Sequence, residues 1–184
     1  MLEIKNCSLI VVDVQGKLAQ LMYEKESLFK NIQILIKTAK ILNIPIIWCQ
    51  QVPKAIGPTI PEIVELLPDV EPINKAAFSC CSDVDPAGKQ FNDKLNSLNV
   101  EQVIICGIET HICICQTALD LLRKGFDVNV IADAVSSRTL ENKKIALKRL
   151  ANEGCKIGSV EMALFELMKT AEHPNFREVA KLIK

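Results

Sequence analysis

Three reactive residue types stand where strands of this chain should end: a carboxylic acid at Asp13, an amine at Lys75 and a thiol at Cys113. Brought to one cleft, they would supply a nucleophile, its base and an electrostatic stabiliser. Cys113 lies in VIICGIETHICICQTALDLL (103–122), where an apolar run ends at Gly107, a short turn follows and a helix begins with Cys113 in its first turn. A helix N-terminus carries unpaired N–H groups and the positive end of the macrodipole. The position therefore predicts a thiol that ionises more readily than a free cysteine. At ~100° per residue, Ile112, Cys115, Ala118, Leu119 and Leu122 form one apolar face. Gln116, Thr117, Asp120, Arg123 and Lys124 share the opposite arc with Cys113. Cys115 reads as a small core hydrophobe; Cys113 does not.

Asp13 interrupts the most apolar strand of the chain, SLIVVDV. A carboxylate so near a core needs a partner or a task, and a loop-capping aspartate is its ordinary structural role. Lys75 is a surface lysine by local context and gains weight only in combination with the other two.

Strand and helix patterns alternate along the chain. Apolar, β-branched runs at 8–14, 44–49, 72–75, 101–107, 127–133 and 155–160 read as strands. Helical patterns fall at 27–42 with Ser27 as N-cap, near 62–67, from Pro86 to about 98, from Cys113 to Gly125, and over 141–154. Helical segments end the chain. Such alternation predicts an α/β, doubly wound, Rossmann-like fold of three layers, with about six mostly parallel strands wrapped on both faces. One domain over 1–184 accommodates it. Ligands of such sheets bind beyond the carboxyl ends of the strands, where strand order reverses. That rule singles out Asp13, Gln15, Gln50, Lys75, Cys113 and Asp133.

Bulk composition narrows the function. Lysine plus arginine equals aspartate plus glutamate, 22 each in 184 residues, so no strong field invites nucleic acid or an anionic membrane. No apolar stretch approaches the ~20 residues of a membrane span. The N-terminal MLEIKNCSLIVVDVQ has neither a basic n-region nor a long h-region, so a cytoplasmic protein is expected. Eight cysteines without any C-x-x-C spacing fit reduced thiols rather than a zinc ribbon or thioredoxin-like motif. The first strand runs into VQGKLAQ without G-x-G-x-x-G, which weighs against a dinucleotide site.

The motifs VVDVQ with Asp13, NKAAFSC with Lys75, CGIETHICICQTALDLL with Cys113, and IADAVSSR at 131–138 occur in one order across most of the chain. In this the sequence resembles the isochorismatase-like cysteine hydrolase superfamily. The loop QQVPKAIGPTIPEI is similar to that of isochorismatase domain-containing proteins. The resemblance implies strand order 3-2-1-4-5-6 and a catalytic triad of Asp13, Lys75 and Cys113. It also implies a cis peptide between Ile108 and Glu109, with the N–H groups of Glu109 and Cys113 as oxyanion donors.

Cys113 is present, whereas vinyl-ether-cleaving isochorismatases lack that cysteine. Metal-binding nicotinamidases carry an Asp-x-His…His set after the second strand, where this chain reads CQQVPKAIG. The expectation is a hydrolase of a small amide or related C–N bond through a Cys113 thioester, with no metal and no cofactor. Gln15, Gln50, Thr110 and His111 are assigned to the substrate-binding wall, and a homo-oligomer, dimer or higher, is expected. A non-catalytic or redox-sensing small-molecule binder is the rival reading.

Overall fold

The computed structural model describes residues 1–184. In chain order the elements are β1 (Cys7–Val12), α1 (Gly16–Gln20), α2 (Lys25–Ile41), β2 (Ile46–Gln51), α3 (Pro53–Ile56), α4 (Pro61–Val64), β3 (Ile73–Lys75) and α5 (Pro86–Ser97). They continue with β4 (Gln102–Ile108), a π-helical turn (Thr110–Ile114), α6 (Cys115–Arg123), β5 (Asp127–Ser136), α7 (Leu140–Asn152), β6 (Lys156–Gly158), α8 (Val160–Met168) and α9 (Phe176–Ala180). All six strands are parallel, in the order β3-β2-β1-β4-β5-β6. The doubly wound α/β expectation holds, strand order included. No helix is long and apolar enough to cross a membrane.

The strands alternate side chains between two cores, as a period of two requires. Leu9 and Val11 of β1, Trp48 of β2 and Ile104 and Cys106 of β4 pack with α2, α4 and α8. Ile10 and Val12, Ile47 and Cys49, and Val103 and Ile105 pack with α5 and α6 on the opposite face. Every residue of β1 and β4 is buried, which is why these strands read as unbroken apolar runs.

Two boundaries differ from the sequence reading. The second helix begins at Lys25 behind Glu24, which takes a left-handed φ of 51°, so Ser27 lies inside it and caps nothing. The chain turns there because the Tyr23 N–H donates to Ser137 O, 2.9 Å away, a tie that local propensity does not encode. β5 also runs past Asp133 to Ser136, with its register against β4 shifted between Ile105 and Gly107. Asp133 is thereby carried away from a strand end. Its Oδ1 instead accepts from the Val160 N–H at the start of α8.

Strand order reverses between β1 and β4, and their close approach there fixes one residue type. Gly107 has φ +121°, and a Cβ on it would lie 2.0 Å from Val12 O. Only glycine satisfies both conditions.

Candidate active site

Asp13 directly follows β1 with φ 53°, a left-handed conformation that aspartate tolerates better than most residues. Its N–H donates to Cys49 O on β2, which anchors the turn. Lys75 ends the edge strand β3, where the parallel register sets it beside Gln51 of β2. The Lys75 and Gln51 side chains, paired in register, project from one face of the sheet. Lys75 Nζ donates to Asp13 Oδ2 and to Gln51 Oε1, each at 2.7 Å, and to the carbonyls of Ala77 and Phe78 at 3.2 and 3.1 Å. The ammonium is saturated and shielded from solvent.

Cys113 sits in the π-helical turn between β4 and α6, with its Sγ 4.0 Å from Gln51 Oε1. The Asp13 carboxylate borders the same thiol, and Asp13 Oδ1 is buried without a hydrogen-bond partner. Asp13 and Cys113 line a cleft of about 200 Å³ with Gln15, Leu18, Gln51, Ile56, Phe78, Ile108, Glu109 and Ile112. Lys75 stands behind it.

The electrostatics correct one expectation. Burial pushes the Cys113 thiol above the ordinary range, and the Asp13 charge adds to this while Lys75 only partly offsets it. Burial and the Asp13 charge thus favour the neutral thiol, against the macrodipole at the head of α6. Burial likewise raises the Asp13 carboxyl, against the charge and hydrogen bond of Lys75. For Lys75, burial works against the ammonium, but Cys80, Asp13 and Cys113 outweigh it and hold the proton more firmly than usual. The arrangement is an ion pair beside a neutral thiol, with one free carboxylate oxygen to take the thiol proton.

A second difference lies on α6. The buried positions are Ile114, Cys115, Thr117, Ala118 and Leu121, while Leu119 and Leu122 are only half-buried. Thr117, placed by the wheel on the polar arc, is buried and accepts from the Cys80 N–H through Oγ1. The helical period holds across α6, and the elements packed against it, β5 and α7, decide which arc is covered.

The remaining assigned residues divide. Gln15 reaches the cleft, but its amide is spent on structure: Nε2 donates to Gln51 O and Gly57 O, and Oε1 accepts from the Gln51 N–H. Gln50 does not reach it. β2 runs to Gln51, not to Cys49, so Gln50 shares the Trp48 face and holds Thr59 and Asn74. Thr110 is wholly buried off the cleft, and His111 Nδ1 pairs with Ser137 Oγ at 2.9 Å. The residue the sequence reading missed is Gln51. Moving the strand end by two residues would have found it.

The Ile108–Glu109 peptide is cis, and both residues are buried in the wall of the cleft. Glu109 Oε2 accepts from the Arg138 N–H and Nε, drawing 131–138 against the site. All eight cysteines are free and buried, and no three His, Cys, Asp or Glu side chains converge as a metal site.

The acid, the amine and the thiol gather at the carboxyl edge of a parallel α/β sheet, where such folds bind their ligands. The chain belongs to the isochorismatase family, whose Isochorismatase domain model matches residues 7–162. It is 37% identical over 183 residues to isochorismatase domain-containing protein 2 of Danio rerio, covering 99% of this chain and 89% of that one. It is 38% identical over 179 residues to the secreted isochorismatase effector Isc1 of Phytophthora sojae, covering 96% and 83%. Among solved structures, the MAR1 ribonuclease of Caenorhabditis elegans superimposes with a TM-score of 0.91 at 35% identity, covering 99% and 91%.

Proposed function

We propose that this isochorismatase-family protein is a cysteine hydrolase that cleaves a small amide or related C–N bond through a thioester on Cys113. The observation that carries the reading is the free Asp13 Oδ1 beside the Cys113 thiol, on a carboxylate whose other oxygen is held by Lys75.

Asp13 takes the thiol proton as the sulfur attacks the substrate carbonyl. Lys75 keeps that carboxylate in place, and the N–H groups of Glu109 and Cys113 receive the oxyanion. Collapse of the tetrahedral adduct breaks the C–N bond, and Asp13 returns the proton to the leaving amine. Asp13 then deprotonates a water, which attacks the thioester and releases the acid and the free thiol.

The name of the Caenorhabditis elegans relative raises ribonuclease activity, but the features here favour a small substrate. The chain has no net charge, and the cleft is about 200 Å³ with no cation on its wall. Turnover of a panel of amides and ureides tests the proposal, with the acyl adduct on Cys113 trapped for mass spectrometry. Cys113→Ala abolishes both signals; undiminished turnover in that variant ends the mechanism.

A further inference from the structure

The cleft wall carries information about the substrate that the triad does not. Apart from the triad members, each polar side chain on it is already engaged. Gln15 is spent on backbone groups, Gln51 accepts from Lys75 and donates to Ala76 O, and Glu109 is paired with Arg138. The rest of the surface is Leu18, Ile56, Phe78, Ile108 and Ile112. No cation faces the interior: Lys75 is 2% exposed with four acceptors on its ammonium. Lys17 and Lys54 line a separate outer groove, beyond Leu18 and Ile56.

The wall is also fixed in place. Gln15 bridges Thr59, the Gly16 N–H donates to Pro58 O, and a Cβ on Gly16 would lie 2.3 Å from Ile56 O. The segments bearing Leu18 and Ile56 are therefore stitched together at van der Waals distance. Phe78, 53% exposed, stands at the mouth.

We infer that this cleft selects short, uncharged carboxamides and rejects amides that carry a carboxylate or phosphate, with Leu18, Ile56, Phe78 and Ile112 as the selecting wall. The inference rests on the Cys113 hydrolase reading and adds the substrate class. A carboxylate entering here loses its water and finds no free cation, since Lys75 and Arg138 are already paired with Asp13 and Glu109. The volume, below the about 300–1,000 Å³ of drug-sized sites, suits a small acyl group.

Two alkylating probes of nearly equal shape and different charge test the wall apart from turnover. Iodoacetamide and iodoacetate each form a thioether as sulfur displaces iodide and the thiol proton is lost. Their rates at Cys113, read by peptide mapping, are divided by their rates with N-acetylcysteinamide. The neutral reagent is expected to be favoured about tenfold or more beyond that reference. Leu18→Lys and Phe78→Arg, which put a cation on the wall, move the ratio back toward iodoacetate by severalfold.

A wild-type ratio at or below the reference, or a ratio neither variant moves, overturns the inference. In parallel, kcat/KM is measured for propionamide and for succinamate, its anionic counterpart, in wild type and Cys113→Ala. Cys113-dependent turnover of succinamate at a rate comparable to propionamide overturns the inference and leaves the hydrolase reading standing. Charge-selective alkylation without turnover of any amide overturns the hydrolase reading alone. Labelling of Cys113 by neither reagent overturns both.

Discussion

Lys75 Nζ lies 2.7 Å from Asp13 Oδ2, and the two side chains are 1% and 4% exposed. Sixty-two residues apart in sequence, they form the one fully buried ion pair of the chain. Breaking such a pair leaves an unpartnered charge in the interior, which costs about 3–5 kcal/mol. Lys75→Met is expected to lose stability on that scale, as well as turnover, in urea denaturation and rate measurements. A stable but inactive variant would show that the pair serves chemistry without supporting the fold.

Asp13→Asn removes the base and keeps the partner of Lys75. The asparagine retains an acceptor for Lys75 but cannot take the thiol proton. Turnover falls by at least about a hundredfold, and alkylation of Cys113 at neutral pH slows with it, because the sulfur must lose its proton in both reactions. Alkylation at or above the wild-type rate would contradict the assignment of Asp13 as the base of the thiol.

The pH dependence follows from the same groups. Asp13 must be ionised to accept the proton, and burial raises its carboxyl. Activity is therefore present above that raised value and lost as the pH falls through it, so the acid limb of kcat/KM lies above the ordinary aspartate value of about 3.9. The Cys113 thiol is raised as well, so wild-type alkylation climbs with pH without levelling near the ordinary thiol value of about 8.5. An acid limb at or below that of a free aspartate would refute the assignment of Asp13 as base.

Asp85 supports the site from behind. Its Oδ2 accepts from the N–H groups of Ala76 and Ala77, and its Oδ1 caps α5 at Ala87. Those hydrogen bonds fix the segment whose Ala77 and Phe78 carbonyls hold Lys75. Asp85→Ala is expected to cost about 1–2 kcal/mol through the lost cap and to reduce kcat more than KM. Hydrogen bonds from the backbone, led by Ala77, lower this carboxyl. Its contribution is thus present above the unfolded-state value and disappears as the pH falls through the lower folded one. Equal unfolding midpoints for variant and wild type at neutral pH would remove Asp85 from this role.

Gly107→Ala places a Cβ 2.0 Å from Val12 O at a left-handed φ, where neither strand can yield. A loss of at least about 3 kcal/mol is expected. At Gly158 a Cβ would meet nothing within 4 Å, and Gly158→Ala is expected within about 0.5 kcal/mol of wild type. Similar melting temperatures for the two variants would refute the packing argument at the β1–β4 junction.

By itself the sequence determined the alternation of strands and helices and the strand-end positions of Asp13, Lys75 and Cys113. Those features are written locally, in apolar runs, in turn residues and in motif order. Tertiary structure decided what depends on register and burial. Pairing of β2 with β3 put Gln51 rather than Gln50 beside Lys75, since a shift of one residue exchanges the faces of a strand. Packing against β5 and α7 chose the buried face of α6, and desolvation raises the Cys113 thiol where the helix end alone predicts a more acidic one. Each outcome is set by atoms distant in the chain, so no local window of residues contains it.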